Sequence, residues 1–164
     1  MQPAATSSRA LFASVGLMAA IIVAASAVAC DDTTAPGPPT FVTSLNGASE
    51  VPAKAVAGTG TATIVKNGST YTYTIPYAGM TGPLIGAHIH GPASTTTIAD
   101  PIVPFSVTGA GASGTLTGTF SSTNTPTISN DSLDVLMRTG GAYVNLHTSA
   151  NPGGEIRGQL SQQQ

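Results

Sequence analysis

The sequence contains no tryptophan, one cysteine and few charged side chains, which make up 7% of its 164 residues. A lone cysteine, Cys30, excludes an intramolecular disulfide. Five Lys and Arg stand against seven Asp and Glu, so no basic patch exists to hold nucleic acid or an anionic lipid surface by charge. Nucleophile elbows of the G-x-S-x-G type and phosphate-binding P-loops are missing as well. Nothing in the spacing of Glu50, Glu155 and the aspartates matches a glycoside-hydrolysing pair. What remains is rich in Gly, Thr, Ser and Ala, a composition that suits exposed β-sheet faces.

The first thirty residues differ from the rest. Arg9 is the only formal charge before Asp31, and Leu11 to Ala29 is a nearly unbroken apolar and small-residue run ending Ala27-Val28-Ala29-Cys30. Residues 1–29 are therefore expected to be an export signal peptide rather than part of the fold. Cleavage after Ala29 leaves Cys30 first, where a bacterial lipoprotein carries its lipidated thiol; a freely secreted form is the alternative. Residues 30–40, with Asp-Asp-Thr-Thr-Ala-Pro-Gly-Pro-Pro, read as the lipidated cysteine and a flexible tether. A membrane-anchored or secreted protein of the cell envelope is the expected location. Residues 41–160 then form one domain and 161–164 a short tail.

Short alternating runs broken by Gly, Asn and Pro recur along the domain. They predict strands at 41–45, 60–66, 70–77, 84–90, 102–107, 114–120, 142–147 and 155–160. Asn67-Gly68 between two such runs predicts a type I′ hairpin. Tyr71, Tyr73, Ile75 and Tyr77 should share a core face, and Met80 is expected in the core as well. One helix is predicted over 129–138, capped by Ser129 or Asn130 and stopped by Gly140-Gly141. About eight antiparallel strands and one short helix indicate an all-β Greek-key sandwich of the immunoglobulin or superoxide dismutase kind.

All three histidines lie in two of these strands. His88 and His90 are two residues apart and project to one side, while His147 alternates with Val144 and Leu146 and so leaves its strand away from the core. If the strands are adjacent, three imidazoles converge on one metal ion. Copper or zinc suits such a donor set, and copper is the ion an exported protein meets. Asn145, Glu155 and the carbonyls of the Gly91-Pro92 turn are candidate acceptors for the outer ring N–H groups. Metal affinity should then fall as pH drops through the ordinary histidine pKa of about 6.5. The competing reading makes the histidines structural, each bonding a loop carbonyl. Glu155 and Arg157 share a strand face and are expected as a surface ion pair, or with Arg157 fixing a loop or the Asn151 turn. Glu50 is expected to pair with Arg157 or cap a loop.

Three phrases carry a family resemblance: Leu45-Asn46-Gly47-Ala48-Ser49-Glu50-Val51-Pro52, Ala87-His88-Ile89-His90-Gly91, and Tyr143-Val144-Asn145-Leu146-His147-Thr148 continuing through Asn151 to Leu160. In this order and spacing they resemble the CHRD domain, named after chordin, over residues 41–160. The resemblance implies an extracellular all-β module and assigns no activity. The His-x-His pair, His147 and the Gly-rich lead into the last strand also resemble Cu/Zn superoxide dismutase. Here, however, the fourth histidine, the zinc cluster and the disulfide are absent, and Glu155 stands where those enzymes carry an anion-guiding arginine. The resulting expectation is a binding protein holding copper or zinc through His88, His90 and His147. An adhesive module for extracellular protein or glycan is the alternative, and a copper redox enzyme ranks third.

Overall fold

The computed structural model describes residues 37–121 and 128–163. The expected signal peptide, Cys30 and residues 31–36 of the tether lie outside the described residues. Among those described, no helix is long and apolar enough to cross a membrane.

The described residues form nine strands in chain order: β1 (Thr40–Asn46), β2 (Thr59–Asn67), β3 (Thr70–Ala78), β4 (Leu84–His90), β5 (Pro101–Pro104), β6 (Gly114–Ser121), β7 (Tyr143–Thr148), β8 (Asn151–Gln159) and β9 (Ser161–Gln162). They pair antiparallel along one path, β5-β4-β7-β8-β1-β2-β3-β6, with β9 beside β1. Strand β1 meets β8 at the single register pair Asn46 and Arg157. This narrow seam lets the sheet fold over, with β1-β2-β3-β6 on one side and β5-β4-β7-β8 on the other. Side chains of both halves enter one core, where the Tyr73 and Phe105 rings meet at 4.4 Å and Tyr71 stacks on Phe120 at 5.0 Å. The chain crosses between halves from β3 to β4, from β5 to β6, and from β6 through the helix to β7. That is the Greek-key sandwich read from the strand pattern.

The β2–β3 hairpin is present, with a different turn. Asn67 pairs with Thr70, so the central residues are Gly68 and Ser69, and only Gly68 has positive φ, at 63°. A two-residue loop with glycine first has the type II′ pattern rather than I′, and it shares the twist that suits a hairpin. Strand β3 alternates as its sequence requires. Tyr71, Tyr73, Ile75 and Tyr77 are buried, and Thr72, Thr74 and Pro76 face solvent.

The fifth strand ends at Pro104 instead of continuing to Val107, although the Phe105 N–H still donates to the Ala87 carbonyl of β4 at 2.8 Å. Residues expected as tail, Ser161 and Gln162, pair with Val42 and Phe41. The helix, α1 (Asn130–Arg138), is capped by Ser129, whose side chain accepts from the Ser132 N–H. It packs Leu133 and Met137, one turn apart, into the core. Asp134 bonds both Arg138 and Lys66, tying the helix to β2. Met80 is buried in the core as expected.

Candidate metal centre

Strand β4 is apolar inward and histidine outward. Ala87 and Ile89 are fully buried in the core, and His88 and His90 project from the opposite face. Its neighbour β7 places Gly86 opposite His147, His88 opposite Asn145, and His90 opposite Tyr143. Gly86 makes room for the rings. A Cβ there would come within 3.0 Å of His88 Cε1 and 3.7 Å of His147 Cδ2.

The three histidines converge. One ligand atom from each lies within 4.8 Å of the other two, and His90 and His147 are buried while His88 is half-buried. His90 Nδ1 lies 2.9 Å from the Ala99 carbonyl and His147 Nδ1 3.0 Å from that of Pro152. A carbonyl only accepts, so both Nδ1 atoms carry the proton and both Nε2 atoms present a lone pair inward. His88 Nδ1, 3.2 Å from His147 Nε2, then donates to that lone pair. His90 Nε2 is buried with no hydrogen-bond partner. A buried, preoriented and unpartnered imidazole nitrogen is unusual in a purely structural cluster. The three imidazoles form a donor set able to coordinate a metal ion.

Burial lowers the pKa of all three. For His88, desolvation and then the neighbouring His147 and His90 bring it to about 4. Desolvation also lowers His90 and His147, opposed by the bonds to Ala99 and Pro152. Burial therefore favours the neutral, ligating form of all three relative to an ordinary histidine, whose pKa is about 6.5.

The outward face around the histidines is itself buried, contrary to the solvent-facing layer expected of β8. Arg157 is 1% exposed. Its guanidinium lies 3.5 Å over the Tyr143 ring, and Tyr143 in turn stacks on His90 at 4.9 Å. It donates to the carbonyls of Thr97 (2.9 Å) and Ser94 (2.8 Å), while Gln159 donates to those of Ala93 and Gly140. These bonds, with Tyr143 Oη against Ala99, strap residues 93–99 over the sheet.

Glu155 and Arg157 are not the surface ion pair expected from their spacing. Both are buried, and Glu155 instead accepts from Thr81, Thr148 and Asn151. Burial pushes its pKa up, but these bonds outweigh burial and hold it below the ordinary value. The Asn151 turn is thus held by Glu155, and the 93–99 loop by Arg157. Glu50 forms no ion pair with Arg157 among the described residues, although each feels the other's charge. Its backbone N–H closes the 47–49 turn, and its buried carboxyl lies beside Asn145, with burial raising its pKa. Asn145, Glu155 and the Gly91-Pro92 carbonyls do not bond the histidines; Ala99 and Pro152 take that place, because the loops fold back over the strand face.

Residues 41–160 match the model of the CHRD domain. The chain belongs to the CHRD-domain family. No curated protein and no solved structure matches it.

In this CHRD domain, sequence reasoning found the three histidines and missed what surrounds them. Tyr143 read as a strand residue, yet it joins His90 to Arg157. Gly86 lies within the strand predicted over 84–90, and only the β4–β7 register reveals it opposite His147. The Thr81 and Thr148 hydroxyls carried no local signal at all. They lie 67 residues apart, yet they meet each other at 3.0 Å and both donate to the Glu155 carboxylate.

Proposed function

We propose that this CHRD protein is a metal-binding module of the cell envelope, holding one ion through His88, His90 and His147, with copper the favoured ion. The observation that carries the reading is the buried His90 Nε2. It is oriented by the Nδ1 bond to Ala99, lacks a partner, and lies within ligand reach of two further imidazoles. Leaving such an acceptor unsatisfied costs about 1–3 kcal/mol, and a bound ion would remove that cost. The export signal and Cys30 support delivery to the envelope, where a lipid on Cys30 would tether the domain. Storage, delivery or sensing of copper is the role such a site would serve there.

Calorimetric titration of the full-length chain with copper and zinc tests this. One equivalent should bind tightly, and His88→Ala and His147→Ala should each abolish it while the fold survives. A well-folded parent that binds neither ion would make the histidines architectural and return attention to protein or glycan partners.

A further inference from the structure

We infer that Glu155 is a positioning residue of the metal centre. It holds the Asn151-Pro152 turn so that the Pro152 carbonyl fixes His147 with its Nε2 lone pair turned towards the other two imidazoles. The inference rests on the metal-site reading above and deepens it by naming the group that prepares one ligand.

Glu155 is fully buried, and no cation pairs with it among the described residues. A buried carboxylate adds little stability over a well-packed apolar side chain, and it persists only where donors satisfy both oxygens. Four donors do so here: Oε1 accepts from the Thr81 N–H at 2.7 Å, and Oε2 from the hydroxyls of Thr81 and Thr148 and from Asn151 Nδ2 at 3.1 Å. Only an ionised carboxylate accepts on both oxygens and can take them all. Thr81 stands in the lead into β4, the strand of His88 and His90, and Thr148 ends β7, the strand of His147. The carboxylate thus joins the two strands that carry the ligands.

The turn carries this hold to the metal centre. The Asn151 side chain donates to Glu155, and its N–H donates at 3.3 Å to Thr148 Oγ1, the hydroxyl that Glu155 itself orients. Lys54 adds a further tie to Asn151 Oδ1 at 3.2 Å. Pro152 follows directly with φ fixed by its ring, so the aim of its carbonyl depends on where Asn151 is held. Gly153 and Gly154 bring no side chain to hold it from the other side. That carbonyl lies 3.0 Å from His147 Nδ1 and, as an acceptor only, keeps the proton there. His90 is fixed by a different carbonyl, that of Ala99, in a loop anchored by Arg157. It therefore serves as an internal reference for any effect of Glu155 on His147.

The test is Glu155→Gln in the full-length chain, a change of equal size that puts an amide N–H group among donors. Histidine ring-nitrogen NMR spectra of the metal-free protein near neutral pH report the position of each proton, and competition with a chromophoric chelator reports copper and zinc affinity. In the parent, His90 and His147 should both be protonated on Nδ1. In the variant His147 should lose that form while His90 keeps it. Affinity for the ion that the parent binds should fall about 10- to 100-fold, the range for loss of a group that orients a metal ligand. Should the variant misfold, Asn151→Ala, at a half-buried position, cuts the same tie and leaves the carboxylate with Thr81 and Thr148, and the same two changes are expected. A folded variant in which either His147 or the affinity is unchanged would overturn the inference, as would equal changes at His90 and His147. A parent that binds neither ion would instead overturn the three-histidine reading, and the NMR comparison would still decide whether Glu155 fixes His147.

Discussion

Strands β3 and β7 both alternate, but they divide their two faces differently. In β3 the inward tyrosines and Ile75 are buried and the outward threonines are bathed in solvent. In β7 every residue is buried: Val144 and Leu146 in the apolar core, Tyr143, Asn145 and His147 beneath the polar loops, and Thr148 against the Glu155 carboxylate. One half of the sandwich therefore has a single core, and the other has two, of which the second is built from hydrogen bonds and ring stacking. Exposure on the Thr face tolerates change; burial on the histidine face makes each polar group depend on a specific partner.

The sharpest way to break this comparison is to remove the strap's anchor. Arg157→Ala removes the charge-assisted bonds to the Ser94 and Thr97 carbonyls and should cost about 1.5–3 kcal/mol, the order of one such bond, because water can reach these exposed residues once the donor is gone. Urea denaturation should show a lower midpoint at unchanged slope. A loss under 1 kcal/mol would mean that the second core adds little to the fold.

The pH dependence comes next. In the metal-free protein the histidines have folded pKa values below the unfolded value, so the unfolded chain binds more protons between about pH 6.5 and, for His88, about 4. Stability is then full above pH 6.5 and declines as pH falls through that window. Thermal melts from pH 8 to pH 4 should show the decline, and His88→Phe should flatten part of it. Metal affinity should persist at pH 6 and fail towards pH 4. A loss of binding centred at pH 6.5 would indicate histidines that are solvated in solution.

The smallest effect is expected on the other half. Thr74→Val, on the exposed face of β3, should change stability by no more than about 0.5 kcal/mol in the same denaturation assay. A larger loss would show that this face, too, is covered.

The strand series, the helix with its Ser129 cap, the tyrosine face of β3 and the histidine faces of β4 and β7 were all legible, because each rests on alternation or on a cap within a few residues. The type II′ turn at Gly68-Ser69 was not, since Asn-Gly offers two registers and the pairing of Asn67 with Thr70 selects one. The Glu155–Arg157 spacing misled for a similar reason. Local pattern shows that two side chains share a strand face, but whether a loop later covers that face depends on residues far along the chain.

Alternation and caps are properties of neighbouring residues, and through them the sequence by itself determined an all-β chain with three outward histidines. Only the tertiary structure decided that β4 and β7 lie side by side, that Gly86 opens space beside His147, and that residues 93–99 close over Tyr143 and Arg157. Those arrangements bring together groups as far as 66 residues apart, as in the bond from Gln159 to the Ala93 carbonyl. Their partners are set by strand register and by the need to satisfy buried polar groups, and neither leaves a periodic trace in the sequence.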